Sequence, residues 1–166
     1  MKQVQRHMIC NAHIDPIWQW DWQEGASAVL STFRSAANLA DKYDYIFCHN
    51  EVILYEYIEK HAPSLFESIK ELVAKGKWRI AGGWYLQPDC NMPCGESFVR
   101  QIQFGKNYFK NKFGVVPETA YNVDAFGHTA GLVQIMKKCG QDKCIIVRKG
   151  DDPVADDHLI WEGFDG

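Results

Sequence analysis

The sequence alternates short apolar runs with longer segments whose apolar residues recur at helical spacing. The strand-like runs lie near residues 5–11, 45–48, 78–81, 119–123 and 143–147. The helical patterns cover residues 24–41, 51–60, 63–76, 96–112 and 131–139. Strands that alternate with helices predict an α/β fold with a parallel sheet or barrel, because each helix returns the chain to start the next strand in the same direction. A chain of 166 residues is long enough for one such domain.

Polar side chains follow most of the predicted strands. They are His13 and Asp15, the cluster at residues 49–51, Asp89, Asp124 and Arg148. The carboxyl ends of parallel strands lie at one edge of the sheet, and sites in such folds form there. We therefore expect these groups to surround a functional site.

His13 and Asp15 are the first candidate pair. They lie two residues apart at the end of a predicted strand, so both side chains project from the same face and can share one cation. Pro16 then ends the strand and turns the chain, which carries Trp18 and Trp20 beside the polar pair. Metal ligands with aromatic planes next to them are typical of a sugar site. The alternative is a hydrogen-bonded pair in which the carboxylate fixes the imidazole tautomer.

Asp124 follows the fourth predicted strand and is the second candidate. With His13 and Asp15 it would provide two carboxylates and an imidazole, a set that suits Zn²⁺ better than a metal that prefers thiolates. The alternative for Asp124 is an N-cap for the helix that follows. A different zinc site is conceivable at Cys90 and Cys94, spaced C-x3-C, or at the C-x4-C pair 139 and 144. Because the six cysteines lie mostly in apolar patterns, buried reduced thiols are the favoured interpretation.

The composition limits the partners of the chain. Its net charge is −3 and it has no basic block, which argues against nucleic acid and against an anionic membrane surface. No apolar stretch reaches the roughly 18 residues of a membrane span, and the polar N-terminus indicates a cytoplasmic protein.

Two irregular segments complete the chain. The glycine pair 82–83 predicts close backbone approach or positive φ, and the long aromatic and polar loop after it makes Asp89 and Asn91 candidates for the rim of the site. The acidic run 151–157 is interpreted as a solvated loop, and residues 158–164 as a further strand. The final Asp165-Gly166 is a hairpin signal without a return strand, so we expect a chain that is cut short.

Four stretches resemble one enzyme family, the family 38 α-mannosidases. They are NAHIDPIW at residues 11–18, GGWYLQPD at 82–89, CGESFVRQ at 94–101 and NVDAFGH at 122–128. The resemblance covers nearly the whole chain and implies the N-terminal part, residues 1–166, of a catalytic (β/α)7-type barrel of mainly parallel strands. One departure is Ala125, where many members of the family have proline.

The resemblance also implies roles for individual residues. By resemblance, His13, Asp15 and Asp124 would be zinc ligands, and Asp124 would also be the catalytic nucleophile. Arg148 would be the arginine near the nucleophile, Trp18 the aromatic platform under mannose and Phe126 a hydrophobic wall. It implies an α-mannoside as substrate and, because the family is often multimeric, a possible homo-oligomer. In the family the acid catalyst and a further zinc-binding histidine come from later sequence, so we expect residues 1–166 alone to be inactive.

Two other functions fit parts of the pattern. A metal-dependent deacetylase-like hydrolase on a related barrel would use His13 and Asp15 to activate water directly. A non-catalytic mannose-binding module would need only aromatic faces such as Trp18, Trp84 and Phe126.

Overall fold

A computed structural model of the protein describes residue 8, residues 10–147 and residues 159–166. In chain order its elements are α1 (Trp22–Lys42), β1 (Phe47–Glu51), α2 (Val52–His61), α3 (Pro63–Ala74), β2 (Trp78–Trp84), α4 (Gly95–Phe113), β3 (Thr119–Asn122), α5 (Leu132–Lys138) and β4 (Lys143–Ile146). The predicted alternation of strands and helices is therefore confirmed for this part of the chain.

The strands form two pairs, β1 with β2 and β3 with β4. β3 and β4 are parallel, with Thr119 opposite Lys143. Phe47 N donates to Lys77 O at the start of β1 and β2, and Ile53 N donates to Tyr85 O just past their ends. The residue numbers of the bonded partners increase together, so this pair is parallel as well. The chain is thus a mixed α/β protein with short parallel strands, and the described residues do not show a closed (β/α)7 barrel.

The strands predicted at the two ends of the chain lie only partly within the described residues. Most of the predicted strand at residues 5–11 lies outside the described residues, and Cys10 makes a single parallel bridge with Phe47. The prediction of a strand at 158–164 is wrong for residues 159–164, which are irregular and lead into a turn. Ile160 is 99% exposed there, so its apolar side chain covers no sheet face that would hold a strand in place. The acidic run 151–157 lies outside the described residues.

The described residues belong to two compact units. Unit 1 contains residues up to His49 and Tyr57–Arg79, and unit 2 contains Asn50–Glu56 and Ile80–Gly166. In unit 1, α1 packs on α3, and aromatic rings fill the core between α1 and the strands. Phe33 lies 5.2 Å from Trp78, and Phe47 lies 4.6 Å from Trp78, measured between ring centroids.

The core of unit 2 joins α4 and α5 to residues of β2, β3 and β4. Its fully buried members include Trp84, Ile102, Ala120 and Leu132. These residues come from the apolar stripes of the helices and from strand positions, which is the pattern that drives such elements together.

The helix limits agree with the sequence prediction to within two residues, including α3, which ends at Ala74, two residues ahead of Gly76. The start of α1 is set by a residue that the prediction did not use. Asp21 Oδ1 accepts hydrogen bonds from Gln23 N at 3.0 Å and from Glu24 N at 3.1 Å. An N-cap carboxylate satisfies the free N–H groups of the first turn, so the helix begins at Trp22, ahead of the apolar stripe.

The polar cluster at residues 49–51 was expected after the second strand, and this was wrong. His49, Asn50 and Glu51 form the second half of β1 and are 0%, 3% and 1% exposed. Burial is tolerated because main-chain groups serve as their partners. Asn50 Nδ2, for example, donates to the carbonyl oxygen of Tyr121 at 3.5 Å.

The glycine pair in β2 behaves as predicted. Gly82 and Gly83 have φ of 78° and 69°, a region that other residues rarely adopt. A Cβ atom on Gly82 would lie 2.6 Å from the Cβ of Asn50, so the close approach of backbone is confirmed too. The strand itself continues through both glycines to Trp84.

The six cysteines are free thiols, as predicted, but they are not all buried. Burial raises the pKa of Cys48, Cys90 and Cys144 to about 11. Cys94 is exposed, and hydrogen bonding with Ser97 lowers the pKa of its thiol. Among the described residues, no group of three metal ligands includes a cysteine.

We therefore expect iodoacetamide to label Cys94 before Cys48, Cys90 or Cys144 at about pH 8, because the thiolate is the reacting species. Mass spectrometry of peptides from briefly treated protein measures the order. Cys94→Ser should remove the fast-reacting site, and the denatured protein should show similar rates at all positions. Early labelling of Cys90 in the folded protein would contradict the burial described above.

No helix in the described part of the chain is both long enough and apolar enough to span a bilayer.

Candidate functional site

The segment before His13 is held in place by β1. Cys48 N donates to Cys10 O at 2.8 Å, and Asn11 Nδ2 donates to Cys48 O at 2.7 Å. His49 Nε2 lies 2.9 Å from Ala12 O. Burial lowers the pKa of His49 to about 4, so the neutral ring donates its Nε2–H to that carbonyl. The backbone is therefore fixed up to the residue that precedes His13.

His13 and Asp15 are brought together as predicted. His13 Nε2 lies 3.3 Å from Asp15 Oδ1, and the two side chains are 23% and 41% exposed. This contact fits both sequence interpretations, the metal pair and the imidazole oriented by a carboxylate. The nitrogen and oxygen donors are of the type that zinc takes in proteins.

The turn after Asp15 presents aromatic side chains. Trp20 Nε1 donates to Asp15 O at 3.1 Å, which fixes the turn to the candidate ligand. Trp18 packs edge-on against Trp20 with 5.3 Å between the ring centroids. Trp18 is nevertheless 65% exposed, so its ring is available for stacking on a ligand.

A glycine in the first turn of α1 allows this turn to lie against the helix. A Cβ atom built on Gly25 would lie 2.1 Å from the carbonyl oxygen of Pro16 and 2.7 Å from its carbonyl carbon. These are main-chain atoms, so they cannot move aside as a flexible side chain could. The position of Pro16, next to Asp15, therefore depends on the absence of a side chain at residue 25.

We expect Gly25→Ala to lower the free energy of unfolding by about 1–3 kcal/mol, even though alanine favours helices, because the clash exceeds the gain in propensity. Urea unfolding followed by circular dichroism measures the change. Gly131→Ala is the matched control, because a Cβ there meets nothing within 4 Å. Equal stability of wild type and Gly25→Ala would contradict the close packing of Pro16 on α1.

In unit 2, β3 leads to Asp124. Asp124 is partly buried and lies two residues beyond the end of the strand. The alternative role as an N-cap is wrong, because α5 begins at Leu132 with Gly131 as its cap. Phe126 follows with 76% of its surface exposed, as a residue in direct contact with a ligand would be.

Cys90 joins the loop after β2 to the loop after β3. Its carbonyl oxygen accepts from Thr129 N at 3.1 Å, and its sulfur accepts from Asn122 Nδ2 at 2.7 Å. Cys90 also pairs with His128 in an isolated parallel bridge. The predicted rim loop therefore lies beside the segment that contains Asp124.

Asp89 has a local structural role in this loop. Its Oδ1 accepts hydrogen bonds from Asn91 N at 2.8 Å and Met92 N at 3.0 Å, and these bonds lower the pKa of Asp89. The side chain is exposed, so its second oxygen can reach solvent or a ligand. Arg148, the predicted neighbour of Asp124, lies outside the described residues.

Three further residues shape the site and were not identified from the sequence as site residues in these roles. Gly25 accommodates Pro16, and Gln87 Oε1 accepts from Val123 N at 2.5 Å, directly before Asp124. Glu51 Oε1 in turn accepts from Gln87 N at 2.9 Å. Two signals for these roles were present in the sequence: Gly25 interrupts a helical pattern, and Glu51 follows an apolar run. A glycine destabilises a helix, and a buried carboxylate destabilises a strand, unless a tertiary contact requires the residue.

Comparison with known families gives one match that covers almost the whole chain. The model of the glycosyl hydrolases family 38 N-terminal domain matches residues 3–166. Alpha-mannosidase G of Dictyostelium discoideum is 29% identical over 160 residues, 94% of this chain and 15% of that protein. Human alpha-mannosidase 2C1 is 29% identical over 164 residues, 96% of this chain and 16% of that protein. The chain thus spans about one sixth of the length of these relatives.

Solved structures show the same fold. An alpha-mannosidase from Enterococcus faecalis V583 superposes with a TM-score of 0.75 at 21% identity, covering 83% of this chain and 16% of that one. A 4-alpha-glucanotransferase from Thermococcus litoralis superposes with a TM-score of 0.60 at 17% identity, covering 80% of this chain and 20% of that one. At these identities the likeness concerns the fold alone.

Proposed function

Because the chain belongs to family 38 of the glycosyl hydrolases, through their N-terminal domain, we propose that it forms part of the catalytic (β/α)7-type barrel of a zinc-dependent retaining α-mannosidase. The match over residues 3–166 carries the proposal. The alpha-mannosidases among its relatives suggest an α-mannoside as substrate. The activity is proposed for the full-length protein, since the chain corresponds to about one sixth of those relatives.

The metal ligands proposed in this chain are His13, Asp15 and Asp124. Each offers one ligand atom and each is partly buried. The contact between His13 and Asp15 supports the pair in unit 1, and the bonds from β1 and Trp20 hold the backbone beside it in place. Zinc bound by these residues would engage vicinal hydroxyl groups of mannose and favour distortion of the ring toward an oxocarbenium-like transition state.

The proposed nucleophile is Asp124. Its carboxylate would attack the anomeric carbon as the aglycone leaves, and water would then release the sugar with overall retention of configuration. Arg148 is proposed as the arginine near this carboxylate. Trp18 and Phe126, both largely exposed, would contact the apolar face and the edge of the sugar, and Asp89 would lie at the rim. The acid catalyst and a further histidine ligand are proposed to come from residues outside this chain.

A fluorinated mannosyl fluoride tests the mechanism, because it forms the glycosyl-enzyme readily and releases it slowly. We expect the full-length protein to lose activity with time and to carry one glycosyl group on the peptide that contains Asp124. Turnover without any adduct would favour the water-activating hydrolase instead. Mannose binding without turnover or adduct would favour a non-catalytic sugar-binding module.

A further inference from the structure

Glu51 and Gln87 connect the last residue of β1 to the segment that contains Asp124. Glu51 is the last residue of β1 and is 1% exposed. Its Oε1 accepts the main-chain N–H of Gln87 at 2.9 Å. The side-chain oxygen of Gln87 accepts the N–H of Val123 at 2.5 Å. Two consecutive hydrogen bonds, here called the relay, thus link the buried carboxylate of Glu51 to Val123, the residue directly before Asp124.

The first bond gives the buried Glu51 carboxylate one accepted hydrogen bond. An ionisable side chain that leaves water loses its hydration, and such groups persist in protein interiors when they accept hydrogen bonds there. The Gln87 N–H provides one of these bonds and fixes the backbone of Gln87. With its backbone fixed, the Gln87 side chain can hold its oxygen toward Val123.

The loop around Gln87 has independent supports, so the bond to Glu51 is not needed merely to close it. Tyr85 N and Leu86 N donate to the main-chain and side-chain oxygens of Gln101 at 3.0 and 2.9 Å. The Tyr85 hydroxyl donates to Glu56 Oε2 at 2.9 Å. From this loop, Gln87 bonds to the main chain at Val123, directly before Asp124, whereas Cys90 bonds to the side chain of Asn122.

We propose that Glu51 and Gln87 are positioning residues that fix the backbone at Val123 and thereby the attack direction of the Asp124 carboxylate. The inference rests on the proposed function for the identity of the nucleophile. The hydrogen bonds themselves do not depend on it. A misdirected nucleophile slows the bond-forming step while leaving sugar binding intact, because the reaction requires near-attack geometry.

The test compares four variants of the full-length protein. Glu51→Leu and Gln87→Leu each remove one acceptor of the relay. Glu51→Gln keeps an oxygen at the acceptor position. Glu56→Leu is the matched control, because Glu56 is a partly buried acceptor that bonds to the Tyr85 hydroxyl of the same loop and not to Gln87 N or Val123 N.

Two measurements are made on folded variants. Hydrogen exchange of the Val123 amide reports on the relay, and the rate of labelling by the fluorinated mannosyl fluoride reports on attack. We expect exchange to rise and labelling to slow by at least about tenfold in Gln87→Leu and Glu51→Leu, with inhibition by free mannose unchanged. Glu51→Gln and Glu56→Leu should remain close to wild type.

Several outcomes would overturn the inference. Unchanged exchange at Val123 in Gln87→Leu would show that the relay does not hold this amide. Faster exchange with unchanged labelling would remove the positioning role. Equal loss in Glu51→Gln and Glu51→Leu would point to charge and not to the accepted hydrogen bond. If the wild-type protein were labelled at another residue, or not at all, Asp124 would not be the nucleophile and the catalytic part of the inference would fail. The exchange measurement would still show whether the relay holds the Val123 amide.

Discussion

Asp124→Asn is expected to lower kcat of the full-length protein on an aryl α-mannoside by at least about 10³-fold. The amide oxygen has the size and position of the carboxylate oxygen, but it lacks the charge needed to attack the anomeric carbon. The residue is partly buried directly after β3, so an isosteric change should leave the fold intact. Steady-state kinetics and circular dichroism measure the two effects.

Asp142→Asn is the matched control for this substitution. Asp142 is an exposed aspartate of the same unit, 3.9 Å from Lys143, and no site role is assigned to it. Its replacement should leave kcat within about twofold, as surface substitutions away from a site usually do. Wild-type turnover in Asp124→Asn would show that a different carboxylate is the nucleophile.

His13→Ala and Asp15→Ala form the second prediction. Removing one ligand from a small set should weaken zinc affinity by at least about 100-fold and reduce activity in proportion to the metal lost. Elemental analysis after dialysis against a weak chelator gives the zinc content of each variant. Circular dichroism should remain that of wild type, since both side chains are partly exposed and lie outside the helices and strands.

The control for the ligand variants is His61→Ala. His61 is an exposed histidine at the end of α2 in the same unit and should not affect zinc content. Asp15→Ala removes an additional contact, because the Asp15 carboxylate lies 3.3 Å from His13. Full zinc content in both ligand variants would exclude a metal site at this pair and leave the carboxylate as a partner that only orients the imidazole.

Secondary structure was largely predictable from the sequence because the helices have strong periodic stripes. In α1, for instance, Ala26, Val29, Phe33, Ala36 and Ala40 are buried at the positions where the pattern placed them. The motif around His13 was also predictable, since two residues two apart on an extended segment share a face. These features depend only on local spacing.

The partners of buried polar residues were not predictable in the same way. His49 bonds to Ala12, 37 residues away, and Gln87 bonds to Val123, 36 residues away. From the local pattern, the polar residues 49–51 were predicted to follow the end of a strand. In the structure, distant main-chain groups provide their hydrogen-bond partners, and the strand continues through them. The clash that Gly25 avoids is likewise invisible until Pro16 is placed beside it.

The pairing of strands was the other unpredicted feature. Alternation of elements indicates parallel strands but does not specify how many of them join one sheet. The described residues form two pairs, and the final apolar run adds none, because Leu159 and Ile160 are exposed. An apolar run alone therefore did not distinguish a strand from an extended surface segment.

The order in which the chain visits its two compact units limits how it can be divided. The chain crosses from one unit to the other after residues 49, 56 and 79, and two of these crossings fall within β1 and β2. No single cleavage yields one intact unit, and a deletion that removed either one would have to splice the chain through a strand. We therefore expect shuffling breakpoints between related sequences to be tolerated best outside residues 47–84.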